Sequence, residues 1–113
     1  MSSSNQDLKI DWDHLHTLSD RDLDFEIELL TLLAQDTRGR VAELRQVMSQ
    51  NNFAQFQELT HYIKGAAANM GVTSLAAIAQ QLESADPGDA PGIHQLIDQL
   101  ETALQSLEAL IAE

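Results

Sequence analysis

Residues 61–71 hold the side chains of this sequence that are best suited to chemistry, because they bring a histidine, a lysine and a glycine together. If the segment is helical, with about 100° of rotation per residue, His61 projects from the side opposite to the apolar positions. Lys64 and Gly65 follow at i+3 and i+4 and share its face. An imidazole that is largely neutral at pH 7 offers a lone pair without the help of a general base. The segment therefore predicts an exposed, reactive histidine beside a positive charge.

Gly65 is an unfavourable residue for the interior of a helix, where glycine costs about 0.5–1 kcal/mol relative to alanine. A compensating role is expected, and close approach by a partner molecule explains why a bare position stands next to His61. Glu58 at i−3 and Ala68 at i+7 complete the same face. The opposite, buried side of this predicted helix carries the apolar positions Phe56, Leu59, Ile63, Ala66, Ala67 and Met70.

The composition narrows the setting in which this histidine works. The chain has 113 residues, which suits a single domain, and a formal net charge of −12 at pH 7. Such a charge repels nucleic acid and anionic membrane surfaces, so neither is expected as a partner. The sequence has no cysteine, which excludes disulfides, thiolate catalysis and thiolate metal sites. The partner is expected to be neutral or basic where the two surfaces meet.

The domain organisation predicted from the sequence is simple. Residues 1–9 are typical of a flexible polar tail, and residues 10–113 form one helical-bundle domain. The tail has neither the basic nor the apolar region of a signal peptide, and no stretch of about 18 apolar residues follows. We therefore expect a soluble, cytoplasmic and monomeric protein. The initiating Met1 and a helix that runs to Glu113 favour a free-standing form.

Every long segment has the period of an amphipathic helix, so we predict an all-α fold. A short helix over about Asp11–Leu18 comes first. Its Trp12, Leu15 and Leu18 are expected to cap the open end of the core, and part of Trp12 could instead form an apolar docking rim. Ser19, with Asp22 three residues later, resembles a capping box that starts the next helix. That helix is predicted to continue through Gly39 for about 28 residues, because its apolar stripe keeps its phase on both sides. The stripe consists of Leu23, Ile27, Leu30, Ala34, Thr37, Val41, Leu44 and Met48.

Three further helices are predicted in the second half of the chain. Asn51-Asn52 interrupts the long helix and can cap the histidine helix, which is expected to end at Gly71 in a left-handed conformation. A fourth helix is predicted over residues 73–84, residues 86–92 form a turn, and the last helix follows. Four amphipathic helices with short connections pack most simply as an antiparallel up-down-up-down four-helix bundle, here with a short extra N-terminal helix.

A group of positions in the histidine helix and the helix after it resembles the histidine phosphotransfer (HPt) domain of multistep two-component phosphorelays. The likeness extends over residues 11–113, since the order of a short tryptophan-bearing helix, a long helix, the histidine helix and two more helices also agrees. The positions that carry the resemblance are His61, Lys64, Gly65, Gly71, Leu75, Leu82 and Glu83.

The resemblance implies a phosphorelay intermediate without kinase activity of its own. His61 would accept a phosphoryl group from the phospho-aspartate of one receiver domain and pass it to another. Lys64 would neutralise charge on the equatorial phosphoryl oxygens, and Gly65 would give the receiver access to the ring. The implied partners are response-regulator receiver domains and a hybrid histidine kinase. No cofactor or metal is expected in this chain, because Mg²⁺ belongs to the receiver.

The resemblance also implies that polar side chains of flanking helices orient the imidazole, and Gln35 and Glu83 are the candidates for this role. Ala66 and Ala67 stand where many HPt domains have serine, so no hydroxyl contact to the phosphoryl group is expected there. The residues predicted to contact the partner are Gln35, Gln57, Glu58, Ala68 and Glu83.

Two other kinds of function compete with this interpretation. Glu58 and His61 form a Glu-x-x-His unit, but a di-metal bundle site needs two such units and two further glutamates that all point inward. A structural adaptor would explain the apolar stripes, yet it leaves Gly65 without a role. The other histidines, His14, His16 and His94, are expected to be ordinary surface or half-buried residues, and the acidic residues mostly solvated.

Overall fold

The computed structural model describes residues 8–112, and within them the chain forms five α-helices and no strand. The predicted all-α fold is confirmed. The four longer helices form a ring in which α2 packs on α3, α3 on α4, α4 on α5, and α5 on α2. The helices are α1 (Trp12–Leu18), α2 (Leu23–Ser49), α3 (Phe53–Asn69), α4 (Thr73–Glu83) and α5 (Ala90–Ala112).

The core lies along the axis of this ring and is built from the apolar stripe of each helix. Burial of these stripes is the main favourable contribution to folding. The short helix α1 closes one end of the bundle by inserting Leu15, which is fully buried. Of the three residues expected to cap this end, Leu15 does so, whereas Trp12 and Leu18 are 43% and 46% exposed. The central buried side chains are Leu44, Ile63, Ala67, Leu75, Ala79, Leu82, Ile97, Leu100, Leu104 and Leu107.

The helix ends follow the local sequence signals, with one correction. Asn52 accepts a hydrogen bond from the backbone N–H of Gln55 and caps α3, and Gly71 after α3 has a φ of 76°, as expected. The capping box predicted at Ser19 is wrong. Ser19 ends α1, and Asp22 caps α2 by accepting from the N–H of Phe25. Residues 19–22 form the turn between α1 and α2, so α2 begins at Leu23.

Helix α2 runs through Gly39 without a break, as predicted, but its first turns are exposed. Leu23 and Ile27, which the heptad pattern assigned to the core, are 66% and 51% exposed. Helix α5 contacts α2 through the ion pair between Arg38 and Glu108 and ends at Ala112. Over residues 8–112, the first turns of α2 lie beyond the last described turn of α5 and are not covered by it.

The predicted turn over residues 86–92 is shorter in the structure, because α5 already begins at Ala90. Pro91 is compatible with the first turn of a helix, where its missing N–H has no intrahelical partner to lose. The carboxylate of Asp89 accepts a hydrogen bond from the N–H of Gly92 at 3.1 Å, which supports this helix start. The sequence analysis had assigned Pro91 and Gly92 to the turn because of their residue types.

Residues 1–7 of the predicted tail lie outside the described residues. Its last two residues belong to the folded domain, since Leu8 packs partly buried against the core. The backbone N–H of Lys9 donates to Oγ of Ser74 at 3.0 Å, and the N–H of Ser74 donates to the carbonyl of Lys9 at 3.3 Å. Within residues 8–112, no helix combines the length and apolar character needed to cross a membrane.

Candidate functional site

His61 lies in the middle of α3 and points away from the core, as its position in the sequence predicts. Its side chain is 71% exposed, whereas Ile63 and Ala67 on the other side of the same helix are buried. The residues at i+4 and i+7, Gly65 and Ala68, are also exposed. The imidazole therefore stands on an open surface that a folded partner can reach.

Glu83, at the end of α4, connects the histidine to the lysine. Its Oε2 atom lies 2.8 Å from Nδ1 of His61, and its Oε1 atom lies 2.6 Å from Nζ of Lys64. Nζ of Lys64 also donates to Oε1 of Gln80 at 3.1 Å. One carboxylate thus holds the two residues of the His-x-x-Lys motif at once.

The charge state of Glu83 determines which ring nitrogen of His61 is free. The pKa of Glu83 is lowered, chiefly by the hydrogen bond from Lys64; partial burial opposes the shift, and the hydrogen bond from His61 adds to it. The ionised carboxylate can only accept hydrogen bonds, so Nδ1 of His61 must carry the proton. Among residues 8–112, no side chain or backbone group bonds to Nε2. Its lone pair therefore faces solvent.

Gly65 has no packing role inside the domain. A Cβ atom built on it meets no heavy atom within 4 Å. Three side chains predicted to contact a partner, Gln57, Glu58 and Ala68, are exposed on the same helix. Ala68 and Lys64 also line a shallow groove between α3 and α4. The clearing around His61 is therefore bounded by small or polar side chains.

The prediction that Gln35 orients the imidazole is not supported by its position. Gln35 is exposed, and in the described part of the chain the polar contact of His61 comes from Glu83 alone. The guanidinium of Arg40, on α2, lies 3.5 Å from the ring centre of Tyr62, on α3. Arg40 therefore marks the side of α2 that faces α3. Gln35 precedes Arg40 by five residues, or about 140° around the helix, and therefore points away from α3.

A second polar cluster, at the junction of α1 and α2, was missed by sequence reasoning. Glu26 is only 3% exposed, and its Oε2 atom lies 2.6 Å from Nδ1 of His16 and 2.7 Å from Oγ of Ser19. These hydrogen bonds, first that of His16, lower the pKa of Glu26, while burial opposes the shift. His16 is half-buried, within the range expected for it, whereas the buried Glu26 is an exception to the mostly solvated acidic residues. The signal was present, because Glu26 precedes the buried Leu30 by four residues.

Two of the other histidines lie outside this site. Nε2 of His14 lies 2.8 Å from the carbonyl oxygen of Asn69 and ties α1 to the end of α3, while His94 is exposed on α5. Over residues 8–112, no group of three or more histidine, aspartate or glutamate side chains could hold a metal ion. Glu58 and His61 thus have no partners with which to complete a di-metal site.

Comparison with known proteins gives two matches. A family model for the Hpt domain matches residues 28–110, which is well over half of the chain. The crystal structure of the HPT domain from an Hpt sensor hybrid histidine kinase of Shewanella superposes with a TM-score of 0.71 at 21% sequence identity. The match covers 91% of this chain and 93% of that one, and at this identity the likeness concerns the fold alone. A search of curated proteins finds no match.

Proposed function

The chain belongs to the Hpt domain family and is a phosphotransfer intermediate of two-component phosphorelays, and on that premise we propose that His61 is the residue that carries the phosphoryl group. Its partners are two-component proteins such as receiver domains or kinases. In the proposed reaction, one receiver domain donates the group from its phospho-aspartate and another receives it. Hpt domains are phosphocarriers rather than catalysts.

The observation that supports this proposal most directly is the state of the imidazole. Glu83 accepts the hydrogen bond from Nδ1, and the exposed Nε2 atom keeps its lone pair. A nucleophile that attacks phosphorus in line must present this lone pair to the donor, without a side chain in between. His61 meets both requirements before any partner binds.

The transfer step follows from these positions. Nε2 of His61 attacks the phosphorus of the aspartyl phosphate, the N–P bond forms, and the P–O bond to the aspartate breaks. The electron pair of that bond leaves with the receiver's carboxylate. The ring then carries the phosphoryl group on Nε2 and a proton on Nδ1, so it is positively charged. The carboxylate of Glu83, 2.8 Å away, stabilises this charge.

Lys64 balances the charges around the phosphoryl group. In the unphosphorylated protein its ammonium is held by Glu83 and Gln80 on α4. The phosphoryl group brings additional negative charge to the same surface, where Lys64 shares the carboxylate of Glu83 with His61. Transfer depends mainly on positioning and on neutralising the charge of the equatorial oxygens, which is the role we assign to Lys64.

Three properties complete the proposal. The chain has no ATP-dependent kinase activity of its own, because its sequence contains no glycine-rich nucleotide-binding motif. It needs no cofactor, since Mg²⁺ enters with the receiver domain. A monomeric state and a cytoplasmic location stay predictions from the sequence.

The proposal is tested by incubating the purified protein with a ³²P-labelled receiver domain and mapping the label. We expect an acid-labile, alkali-stable phosphohistidine in the wild type, none in His61→Gln, and full labelling in His94→Gln, whose histidine is exposed on α5. Retention of the label in His61→Gln would refute the assignment. A chain that no receiver labels would favour the adaptor alternative.

A further inference from the structure

Gln80, on α4, has both ends of its side-chain amide engaged in hydrogen bonds. Its Oε1 atom accepts from Nζ of Lys64 at 3.1 Å, and its Nε2 atom donates to Oγ of Ser84 at 3.0 Å. An ammonium group can only donate hydrogen bonds, so the amide must direct its oxygen to Lys64 and its nitrogen to Ser84. The orientation of this exposed side chain is therefore set by its two partners.

Ser84 can orient Gln80 because of the place where α4 ends. It is the first residue after the helix, and its backbone N–H still donates to the carbonyl oxygen of Gln80 at 3.1 Å. Residues four apart share one face of a helix, so the hydroxyl and the amide lie side by side. The last turn of α4 thus places Gln80 and Glu83 against α3, with Ser84 bonded to Gln80.

The ammonium of Lys64 has three N–H groups, and side chains of α4 accept two hydrogen bonds from it. One acceptor is Oε1 of Glu83 at 2.6 Å, and the other is Oε1 of Gln80 at 3.1 Å. Among residues 8–112, no other group bonds to Nζ of Lys64. One N–H of the ammonium is therefore left for an oxygen atom of a phosphoryl group.

Two acceptors restrict Lys64 in a way that one acceptor does not. The lysine side chain is long and flexible, and it loses much conformational entropy when it is fixed. With Glu83 alone, the ammonium would be free to pivot about a single carboxylate oxygen. Gln80 supplies the second acceptor, and because it is neutral it adds no negative charge that would repel the phosphoryl group.

We propose that Gln80 is a positioning residue for the transfer step. Oriented by Ser84, it fixes the ammonium of Lys64 before the phosphoryl group arrives. One N–H of that ammonium then stays available to the phosphoryl group on His61. The proposal rests on the proposed function, because it concerns the phosphoryl group that His61 carries. Gln80 acts through Lys64 and does not contact the reacting atoms.

The kinetic test measures transfer from a ³²P-labelled receiver domain to the full chain as a function of receiver concentration. Gln80→Leu removes the acceptor at similar side-chain volume, so the maximal rate should fall about three- to fivefold while the apparent KM stays within about twofold. Ser84→Ala removes only the orienting partner, and its maximal rate should fall about twofold. Gln81→Leu makes the same substitution at the next position of α4, also exposed, and should transfer normally.

A double-mutant cycle shows whether Gln80 acts through Lys64. In a Lys64→Ala background, Gln80→Leu should have no further effect on the maximal rate, since the group that it positions is gone. Effects that multiply in the double variant would overturn the proposal. A raised KM with a normal maximal rate would also overturn it, because Gln80 would then contact the receiver. A sharply lower thermal midpoint in Gln80→Leu would do the same, because Gln80 would then act through the fold.

The mobility of the Lys64 ammonium gives a second, spectroscopic readout in the unphosphorylated protein. Its order parameter from ¹⁵N NMR relaxation should fall in Gln80→Leu and keep the wild-type value in Gln81→Leu. An unchanged order parameter in Gln80→Leu would overturn the proposal and leave the assignment of His61 intact. Receiver labelling that persists in His61→Gln would instead refute the proposed function.

Discussion

Replacing Gly65 by glutamine should make the protein more stable and less active. A side chain at this position would project beside His61 into the space that a receiver must occupy, since Gly65 lies one turn away on the same face. It would not clash inside the domain, because a Cβ atom there meets nothing within 4 Å. Stability and function are therefore expected to change in opposite directions.

The size of both effects follows from the same geometry. Glutamine favours an exposed helix interior over glycine by about 0.5–1 kcal/mol, which corresponds to a rise of roughly 2–6 °C in thermal midpoint for a domain of this size. Transfer should fall about tenfold or more, equivalent to at least about 1.4 kcal/mol of lost transition-state stabilisation. Gly65→Ala, with its single methyl group, should have the stability gain and most of the activity.

Thermal unfolding and receiver phosphotransfer, measured on the same preparations, decide the outcome. A lower midpoint in Gly65→Gln would mean that the glycine packs against another part of the protein. Full activity in a stable variant would mean that the clearing beside His61 has no bearing on docking. Either result would contradict the reasoning.

Three other substitutions test the charged groups. Lys64→Ala should slow phosphotransfer or shorten the lifetime of the phosphohistidine. Its thermal midpoint should change by only a few degrees, because partly exposed ion pairs contribute little to stability. Unchanged kinetics of transfer in both directions would count against the role of Lys64. Glu83→Gln keeps an acceptor for Nδ1 of His61 but removes the negative charge, so phosphotransfer onto His61 should slow on the order of tenfold. Quench-flow measurements give this rate, and a wild-type rate would exclude a charge effect of Glu83. Glu26→Gln tests the cluster at the start of α2. The pKa of Glu26 is lowered from about 4.5, so the ionised carboxylate stabilises the folded state above pH 4.5. This contribution to the free energy of unfolding is lost as the pH falls through the lowered pKa. Urea unfolding should therefore show a variant that is less stable at pH 7 and loses less stability below pH 4.5; parallel profiles would contradict this.

Local features of the sequence were sufficient for the helices and for the direction of His61. The period of apolar residues depends only on neighbours within two turns, so α2 was predicted to continue through Gly39, and it does. The cap at Asn52 and the left-handed Gly71 likewise depend on a few adjacent residues. The exposure of His61 followed from the same period, because one side of an amphipathic helix must face solvent.

Several differences between the sequence analysis and the structure share one cause. Leu23 and Ile27 belong to an apolar pattern, but whether they are buried depends on whether a neighbouring helix packs over them. Gln35 and Glu83 were both candidates to orient the imidazole, and the packing of α4 on α3 gives that contact to Glu83. Glu26 is buried because α1 folds over it and supplies His16 as its partner. Each depends on a neighbouring helix that the local pattern does not contain.

The sequence by itself determined which residues can carry the chemistry, since the types and helical spacing of His61, Lys64 and Gly65 are local properties. The tertiary structure alone decided how they are held. Glu83 lies 22 residues from His61 along the chain, and the packing of α4 on α3 brings its carboxylate to both Nδ1 of the imidazole and Nζ of Lys64. The free Nε2 atom is the consequence of that long-range contact, because a hydrogen bond to one ring nitrogen determines which nitrogen keeps the lone pair.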